Sequence, residues 1–218
     1  MPARTRIKVC GMTDVAEANG LVAMGIDALG FIFVDASPRK VAPEMAREIV
    51  ATLPPFVDAV GVFVDQELDV VNDIVKYCRL SMVQLHGNES PQYCAAVNCR
   101  VIKTFSIRAA GELSEVNPFY DPYLEVVSGF LVDTYHEKMA GGTGRTFDWE
   151  LLKHWGPPGP LILAGGLTPD NIAEAIRQVR PFAVDVNSGV ESFPGVKDIA
   201  KVERLVQTVR RVDMEIGG

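Results

Sequence analysis

Short apolar runs alternate with amphipathic stretches along almost the whole chain. The runs are rich in β-branched side chains and lack polar alternation, which is typical of strands buried on both faces. They predict eight strands, at 7–9, 28–34, 57–64, 82–85, 101–105, 126–132, 161–164 and 182–186. Between them, the pattern predicts helices at 14–24, 43–53, 68–79, 90–97, 147–154, 169–179 and 197–212, whereas 111–123 has no distinct pattern.

Local signals support several of these helix boundaries. Thr13 or Asp14 can cap the first helix, and Gly25 can end it. Pro54 stops the second helix, and Thr168 is a cap candidate for the helix at 169–179.

This order of elements predicts an α/β protein with a parallel sheet covered by helices. Eight strand-helix repeats with right-handed crossovers close most naturally into a single (β/α)8 TIM barrel, so we expect one domain over residues 1–218. A doubly wound open sheet is the alternative fold. A barrel places its active site at the C-terminal ends of the strands.

Composition narrows the class of protein. Of 218 residues, 48% are hydrophobic and 22% charged, which suits one large domain with a sizeable core. The net charge of -7 argues against a nucleic-acid surface, and no apolar segment predicts a membrane span or signal peptide. The four cysteines show no metal or disulfide spacing, so we expect free thiols and a cytoplasmic location. Monomer and homodimer both remain open.

The first strand leads directly to a thiol. Cys10 follows Ile7–Val9, and Gly11 separates it from the first helix. A reactive group of a parallel α/β protein belongs at such a junction. A buried cysteine that only fills space is the other interpretation.

Glycine-bearing loops follow three consecutive strands, and their amides can approach an anion without interference from a Cβ. Barrels often bind phosphate after strands 7 and 8, so the sequence predicts a phosphate site there. Tight turns alone would also explain the glycines. The candidate residues are Gly142, Gly144, Gly165, Gly166, Ser188 and Gly189.

Four charged or polar residues lie at other predicted strand ends. The guanidinium of Arg39 can bind a carboxylate through two parallel hydrogen bonds. The alternative interpretation is a solvated charge in a loop. Asp133 follows an apolar strand, and a carboxyl that is desolvated there can serve as an acid. The alternative interpretation is that Asp133 caps a helix or turn. Asp185 is expected inside the barrel, tied by hydrogen bonds. His86 is a candidate catalytic residue, although a lone histidine more often supports structure or orients a ligand. No spacing predicts a metal site or a dinucleotide site.

Together these motifs resemble the phosphoribosylanthranilate isomerase family over nearly the whole chain. The matching stretches are KVCGMT (8–13), ALGFIFVDASPRKV (28–41), VGVFV (60–64), VQLHG (83–87), LVDT (131–134), GGTGRTFDW (141–149), LAGGL (163–167) and FAVDVNSGVESFPG (182–195). One departure is Asn187, where the family often has serine.

The resemblance implies an Amadori rearrangement without metal or cofactor. The substrate would be a small phosphosugar, N-(5′-phosphoribosyl)anthranilate, and the pathway tryptophan biosynthesis. Cys10 matches the family's general base and Asp133 its general acid. Arg39 would take the anthranilate carboxylate, and the glycine loops the phosphate.

Two other functions compete with this one. Another phosphosugar barrel enzyme is possible, although an epimerase needs metal ligands or paired acids. The histidine-pathway isomerase needs phosphate loops in both halves, whereas here they cluster in the C-terminal half. A barrel that binds a phosphorylated ligand without turnover is the non-enzymatic alternative.

Overall fold

In a computed structural model, eight parallel strands form a closed barrel in chain order, with β8 paired to β1. The structure describes residues 4–106, 120–133, 149, 152 and 159–217. Closure confirms the TIM barrel and excludes the open sheet. The strands are β1 (Arg6–Cys10), β2 (Ala28–Ile32), β3 (Asp58–Phe63), β4 (Met82–Leu85), β5 (Arg100–Ser106), β6 (Gly129–Asp133), β7 (Leu161–Ala164) and β8 (Ala183–Val186).

Helices cover the outside of the barrel, and a two-stranded hairpin follows β8. The helices are α1 (Val15–Ala23), α2 (Pro43–Thr52), α3 (Leu68–Cys78), α4 (Pro91–Ala96), α5 (Ile172–Val179) and α6 (Ile199–Gly217). The hairpin strands are β9 (Glu191–Phe193) and β10 (Val196–Lys197). A 3-10 turn occupies Asp121–Tyr123, and the predicted helix at 147–154 lies almost wholly outside the described residues.

Most helix boundaries follow the local signals in the sequence. Asp14 is the N-cap of α1 and accepts a hydrogen bond from the amide of Glu17 at 2.8 Å. Gly25 follows the end of α1 with φ +87°, a conformation that glycine adopts without a steric penalty.

Three elements start two or three residues later than predicted. The N-cap of α5 is Asn171, because the Thr168 hydroxyl instead accepts from the amide of Asp170 in the preceding turn. The last helix starts at Ile199 rather than 197, because Val196 and Lys197 pair with β9. Strand β6 begins at Gly129, three residues later than predicted.

The barrel separates two hydrophobic layers. A large outer core packs the strands against the helices and includes Phe31, Leu85 and Leu163. A smaller inner core fills the barrel near Leu131 and Ile162. Strand residues alternate between the two layers because side chains of a strand point to opposite faces. Of the helices in the described ranges, none is long and apolar enough to cross a membrane.

Candidate active site

A cavity of about 440 Å³ opens at the C-terminal end of the barrel. Almost every residue that the sequence predicts for the site lines this cavity. A second cavity, of about 290 Å³, lies at the opposite end of the barrel and is lined by residues from the strand starts. Gly142 and Gly144 lie outside the described residues. The predicted residues that line the larger cavity are Cys10, Arg39, His86, Asp133, Gly165, Gly166, Asp185, Ser188 and Gly189.

Cys10 is the last residue of β1 and is buried at the floor of this cavity. Its register partner on β2 is Gly30, and a Cβ there would lie 2.7 Å from the Cys10 Sγ. The glycine therefore makes the space that the thiol occupies. Burial raises the pKa of Cys10, while the nearby ammonium groups of Lys8 and Lys197 oppose the shift.

Lys8 also points into the barrel, two residues before Cys10 on the same face of β1. Its Nζ donates a hydrogen bond to Oδ2 of Asp185 on β8 at 2.7 Å, and both side chains are buried. Burial raises the pKa of Asp185, and the Lys8 charge opposes it. The other carboxylate oxygen, Oδ1, is buried and accepts no hydrogen bond from the residues that the structure describes, so Asp185 offers it as an acceptor beside the cavity.

We expect Lys8→Met to lower the free energy of unfolding by about 3–5 kcal/mol, because it leaves a buried carboxylate without its counter-charge. Urea denaturation measures this change. Lys40→Met is the matched control, since Lys40 pairs with the exposed Asp35 and should contribute at most about 1 kcal/mol. Equal losses in the two variants would contradict the expectation.

Asp133 ends β6 and faces His86, which follows β4. The His86 Nε2 lies 3.6 Å from Oδ2 of Asp133, and both side chains are partly exposed to the cavity. Burial lowers the pKa of His86, although the Asp133 carboxylate opposes the shift. A neutral imidazole can orient the neighbouring carboxyl without placing a permanent positive charge beside it.

A buried ion pair between Lys103 and Glu89 holds the loop that carries His86, and the sequence analysis did not predict this pair. Lys103 on β5 donates to Oε2 of Glu89 at 2.8 Å and to the carbonyl of Gly87 at 2.6 Å. Glu89 in turn accepts hydrogen bonds from the amides of Gly87 and Asp65. A lysine inside the apolar run 101–105 was the available signal, because a buried charge needs a partner.

The glycine loops after β7 and β8 meet at the cavity. Gly165 and Gly166 have φ +94° and +62°, which favour glycine. A Cβ on Gly189 would lie 1.9 Å from the carbonyl oxygen of Leu167, so packing between the loops requires that glycine. No described residue accepts a hydrogen bond from the amides of Gly166, Ser188 or Gly189. These amides are therefore available to an anion.

Arg39 is not a solvated loop charge, because it forms a bidentate ion pair with Glu191. Its Nε donates to Oε1 and Oε2 of Glu191 at 2.8 and 3.0 Å, and Nη2 donates to Oε2 at 2.7 Å. Sequence reasoning did not single out Glu191, which lies 152 positions away at the start of β9. A carboxylate within the run FAVDVNSGVESFPG was the only signal.

The comparisons with known proteins point to one family. Residues 7–208 match the family described as N-(5′phosphoribosyl)anthranilate (PRA) isomerase. The chain is 48% identical over 206 residues to the N-(5′-phosphoribosyl)anthranilate isomerase of Geotalea uraniireducens (strain Rf4), covering 94% of this chain and 98% of that one. The chain belongs to the N-(5′-phosphoribosyl)anthranilate isomerase family.

Solved structures of the family share the architecture. A crystal structure of the phosphoribosyl anthranilate isomerase from Thermotoga maritima is 38% identical, with a TM-score of 0.86 over 95% of this chain and 99% of that one. Another phosphoribosyl anthranilate isomerase, solved in complex with reduced 1-(o-carboxyphenylamino)-1-deoxyribulose 5-phosphate, is 36% identical, with a TM-score of 0.82 and coverage of 95% and 99%.

Asn187, the departure noted in the sequence, lies beside the ion pair of Arg39. Its Oδ1 accepts a hydrogen bond from Nζ of Lys197 at 2.9 Å. Lys197 also donates to Oε1 of Glu191 at 2.7 Å. The substitution therefore lies within the ion-pair network of Arg39, beside rather than at Cys10 and Asp133.

This network predicts part of the pH dependence of stability. Burial alone would raise the pKa of Glu191, but hydrogen bonds from Arg39 and Lys197 outweigh it and lower the pKa to about 2, from about 4.5. Because the folded pKa is the lower one, the stabilisation is present above pH 4.5 and is lost as pH falls towards 2. Denaturation across this range should show a stability advantage of wild type over Glu191→Gln that shrinks with acidification. A constant advantage would contradict the pairing.

Proposed function

We propose that this protein catalyses the Amadori rearrangement of N-(5′-phosphoribosyl)anthranilate to 1-(o-carboxyphenylamino)-1-deoxyribulose 5-phosphate, in tryptophan biosynthesis. The observation that carries the proposal is that a thiol and a carboxyl, Cys10 on β1 and Asp133 on β6, face one cavity from separate sides of the barrel. Family membership and the similar enzyme solved with the reduced product support it.

The first chemical step opens the furanose ring. A protonated Asp133 donates its proton to the ring oxygen as the bond between that oxygen and C1 breaks. The anilino nitrogen supplies the electron pair, which produces a Schiff base at C1. His86, 3.6 Å from Asp133, orients the carboxyl for this transfer.

The second step removes the proton from C2 of the open sugar. The Schiff base withdraws electrons and makes this proton acidic, and the Cys10 thiolate accepts it. The resulting enolamine tautomerises to the ketone, so hydrogen is gained at C1 and lost at C2 and no atom enters or leaves. Lys8 favours the thiolate electrostatically from within the barrel.

The two ends of the substrate are anionic, and the cavity offers a cationic or amide group for each. We assign the phosphate to amides near Gly165, Gly166, Ser188 and Gly189, together with Gly142 and Gly144. We assign the anthranilate carboxylate to Arg39. The buried Oδ1 of Asp185, which no residue of the described ranges engages, would accept a hydrogen bond from a sugar hydroxyl.

Turnover by the wild-type protein tests the function. Freshly prepared N-(5′-phosphoribosyl)anthranilate should lose its anthranilate-type fluorescence on addition of the protein, and chromatography should recover one isomeric product. Binding of the reduced product without turnover of the substrate would instead identify a binding barrel. Turnover of a different phosphosugar alone would identify another member of the wider group of barrel enzymes.

The remaining assignments follow from the same proposal. The active domain would comprise the whole of residues 1–218, with a small phosphosugar as its partner and no nucleic acid or membrane. The four cysteines, all described and all free thiols, support a reducing compartment, which we propose to be the cytoplasm. Both monomer and homodimer fit the proposal, and one of the similar structures shows monomers generated by mutation from the dimeric enzyme of Thermotoga maritima.

A further inference from the structure

The ion pair between Arg39 and Glu191 poses a chemical problem for a substrate carboxylate. A guanidinium that is neutralised by a protein carboxylate would have no net charge left to attract a second one. The site would then repel the anthranilate end of the substrate through Glu191. The structure resolves this problem with a second cation on the same carboxylate.

That second cation is Lys197 on β10. Its Nζ donates to Oε1 of Glu191 at 2.7 Å, and its side chain is completely buried. The amide of Gly195 donates to the same oxygen at 3.1 Å. Two cations thus share one carboxylate, so Glu191 does not neutralise Arg39 alone. A second anion beside this lysine is Glu17, whose carboxylate accepts a hydrogen bond from the Lys197 amide at 2.6 Å.

The geometry of the guanidinium shows which part of it is left available. Glu191 occupies the edge formed by Nε and Nη2. Among the residues that the structure describes, none accepts a hydrogen bond from Nη1. The adjacent edge, formed by Nη1 and the second N–H of Nη2, therefore keeps the donors that a carboxylate needs for bidentate recognition.

The stem of Arg39 is also fixed close to the thiol. A Cβ on Gly11, the residue after Cys10, would lie 3.1 Å from Cδ of Arg39 and 3.0 Å from Oδ1 of Asn187. Gly11 has φ +81° and has no Cβ that would displace either side chain. Arg39 is consequently held against the end of β1 from one side and by Glu191 from the other.

We propose that Glu191 is a positioning residue that, held by Lys197, takes one edge of the Arg39 guanidinium and presents the adjacent edge, Nη1 and Nη2, to the carboxylate of the substrate. This inference rests on the proposed function. Its physical basis is preorganisation, because a long side chain that is already ordered loses less rotamer entropy when the ligand binds. A positioning role predicts that Glu191 affects only ligands that carry the carboxylate.

Calorimetric binding of two compounds tests this prediction. The probes are reduced 1-(o-carboxyphenylamino)-1-deoxyribulose 5-phosphate and the same molecule without its carboxyl group. The ratio of their dissociation constants measures carboxylate recognition, and we expect the wild type to prefer the carboxylated compound by roughly tenfold or more, the scale of a hydrogen bond to a charged group. Arg39→Met should abolish the preference.

Glu191→Gln should reduce this preference by roughly tenfold while leaving the affinity for the compound without the carboxyl unchanged. The double variant Arg39→Met with Glu191→Gln should lose no more than Arg39→Met alone. Asp35→Asn is the control, because it removes an exposed carboxylate from the same loop as Arg39 and should leave both affinities unchanged. Should Glu191→Gln not fold, Glu191→Asp is measured instead, because its shorter side chain keeps the charge but withdraws the carboxylate from Arg39 and should also reduce the preference.

A preference that survives in Glu191→Gln would overturn the inference, as would an equal loss of affinity for both compounds or failure of both variants to fold. These outcomes are separate from failure of the proposed function. A wild type that binds the reduced product with the predicted preference, but never turns over the substrate, would reject the function and keep the role of Glu191.

Discussion

Replacing Cys10 by serine should lower kcat/KM for N-(5′-phosphoribosyl)anthranilate by roughly a hundredfold or more, the usual contribution of a general base. Serine has nearly the same shape and fits beside Gly30, so the barrel should fold normally. Its hydroxyl, however, is a far weaker acid than a thiol and does not supply an anion near neutral pH. Loss of fluorescence under substrate-limited conditions measures the change.

Cys99→Ser is the matched control, because Cys99 is half-buried and lies outside the cavity. It should leave kcat/KM unchanged. Burial raises the pKa of Cys10, so the wild-type rate should increase with pH as the thiolate forms. Near-normal activity of Cys10→Ser would remove the thiol from the role of base and leave the overall function intact.

Replacing Asp133 by asparagine should cost a similar factor, roughly a hundredfold or more, by removing the proton donor for ring opening. The amide has almost the same shape as the carboxyl and can still lie beside His86, so a large loss would report chemistry rather than packing. Asp35→Asn, an exposed carboxylate elsewhere at the strand ends, serves as the control and should retain activity.

A substrate deuterated at C2 distinguishes the roles of the two residues. In Cys10→Ser, transfer of the C2 proton should limit the rate, so we expect a primary isotope effect. In Asp133→Asn, ring opening should limit the rate and the isotope effect should disappear. The reverse pattern would exchange the assignments of acid and base.

Several features of the site were predictable because they depend on local chemistry. The apolar runs located all eight strands, since a strand buried on both faces has few polar positions. Strand ends then located Cys10 and Asp133, because parallel strands in a barrel bring their C-terminal ends to one face. The direction of Lys8 was not settled by the sequence, because it depends on the strand register, and the structure places it on the inner face with Cys10.

Other features depended on pairs of residues that are distant in the sequence. The hairpin formed by β9 and β10 was missed because its strands have three and two residues and no apolar pattern. Its position brings Glu191 and Lys197 to Arg39. For the ion pair between Lys103 and Glu89, which holds the His86 loop, the lysine in an apolar run indicated a buried charge, but no local pattern identified its partner.

The sequence by itself determined the barrel, the family and the end of the barrel where the chemistry lies, since repeated apolar strands and glycine-bearing strand ends are local properties. Only the tertiary structure decided how the charges are partnered. Asp185 is 177 positions from Lys8, and Glu191 is 152 from Arg39. No periodicity specifies such contacts, because closure of the barrel brings the last strand, and the loop that follows it, against the first strands of the chain.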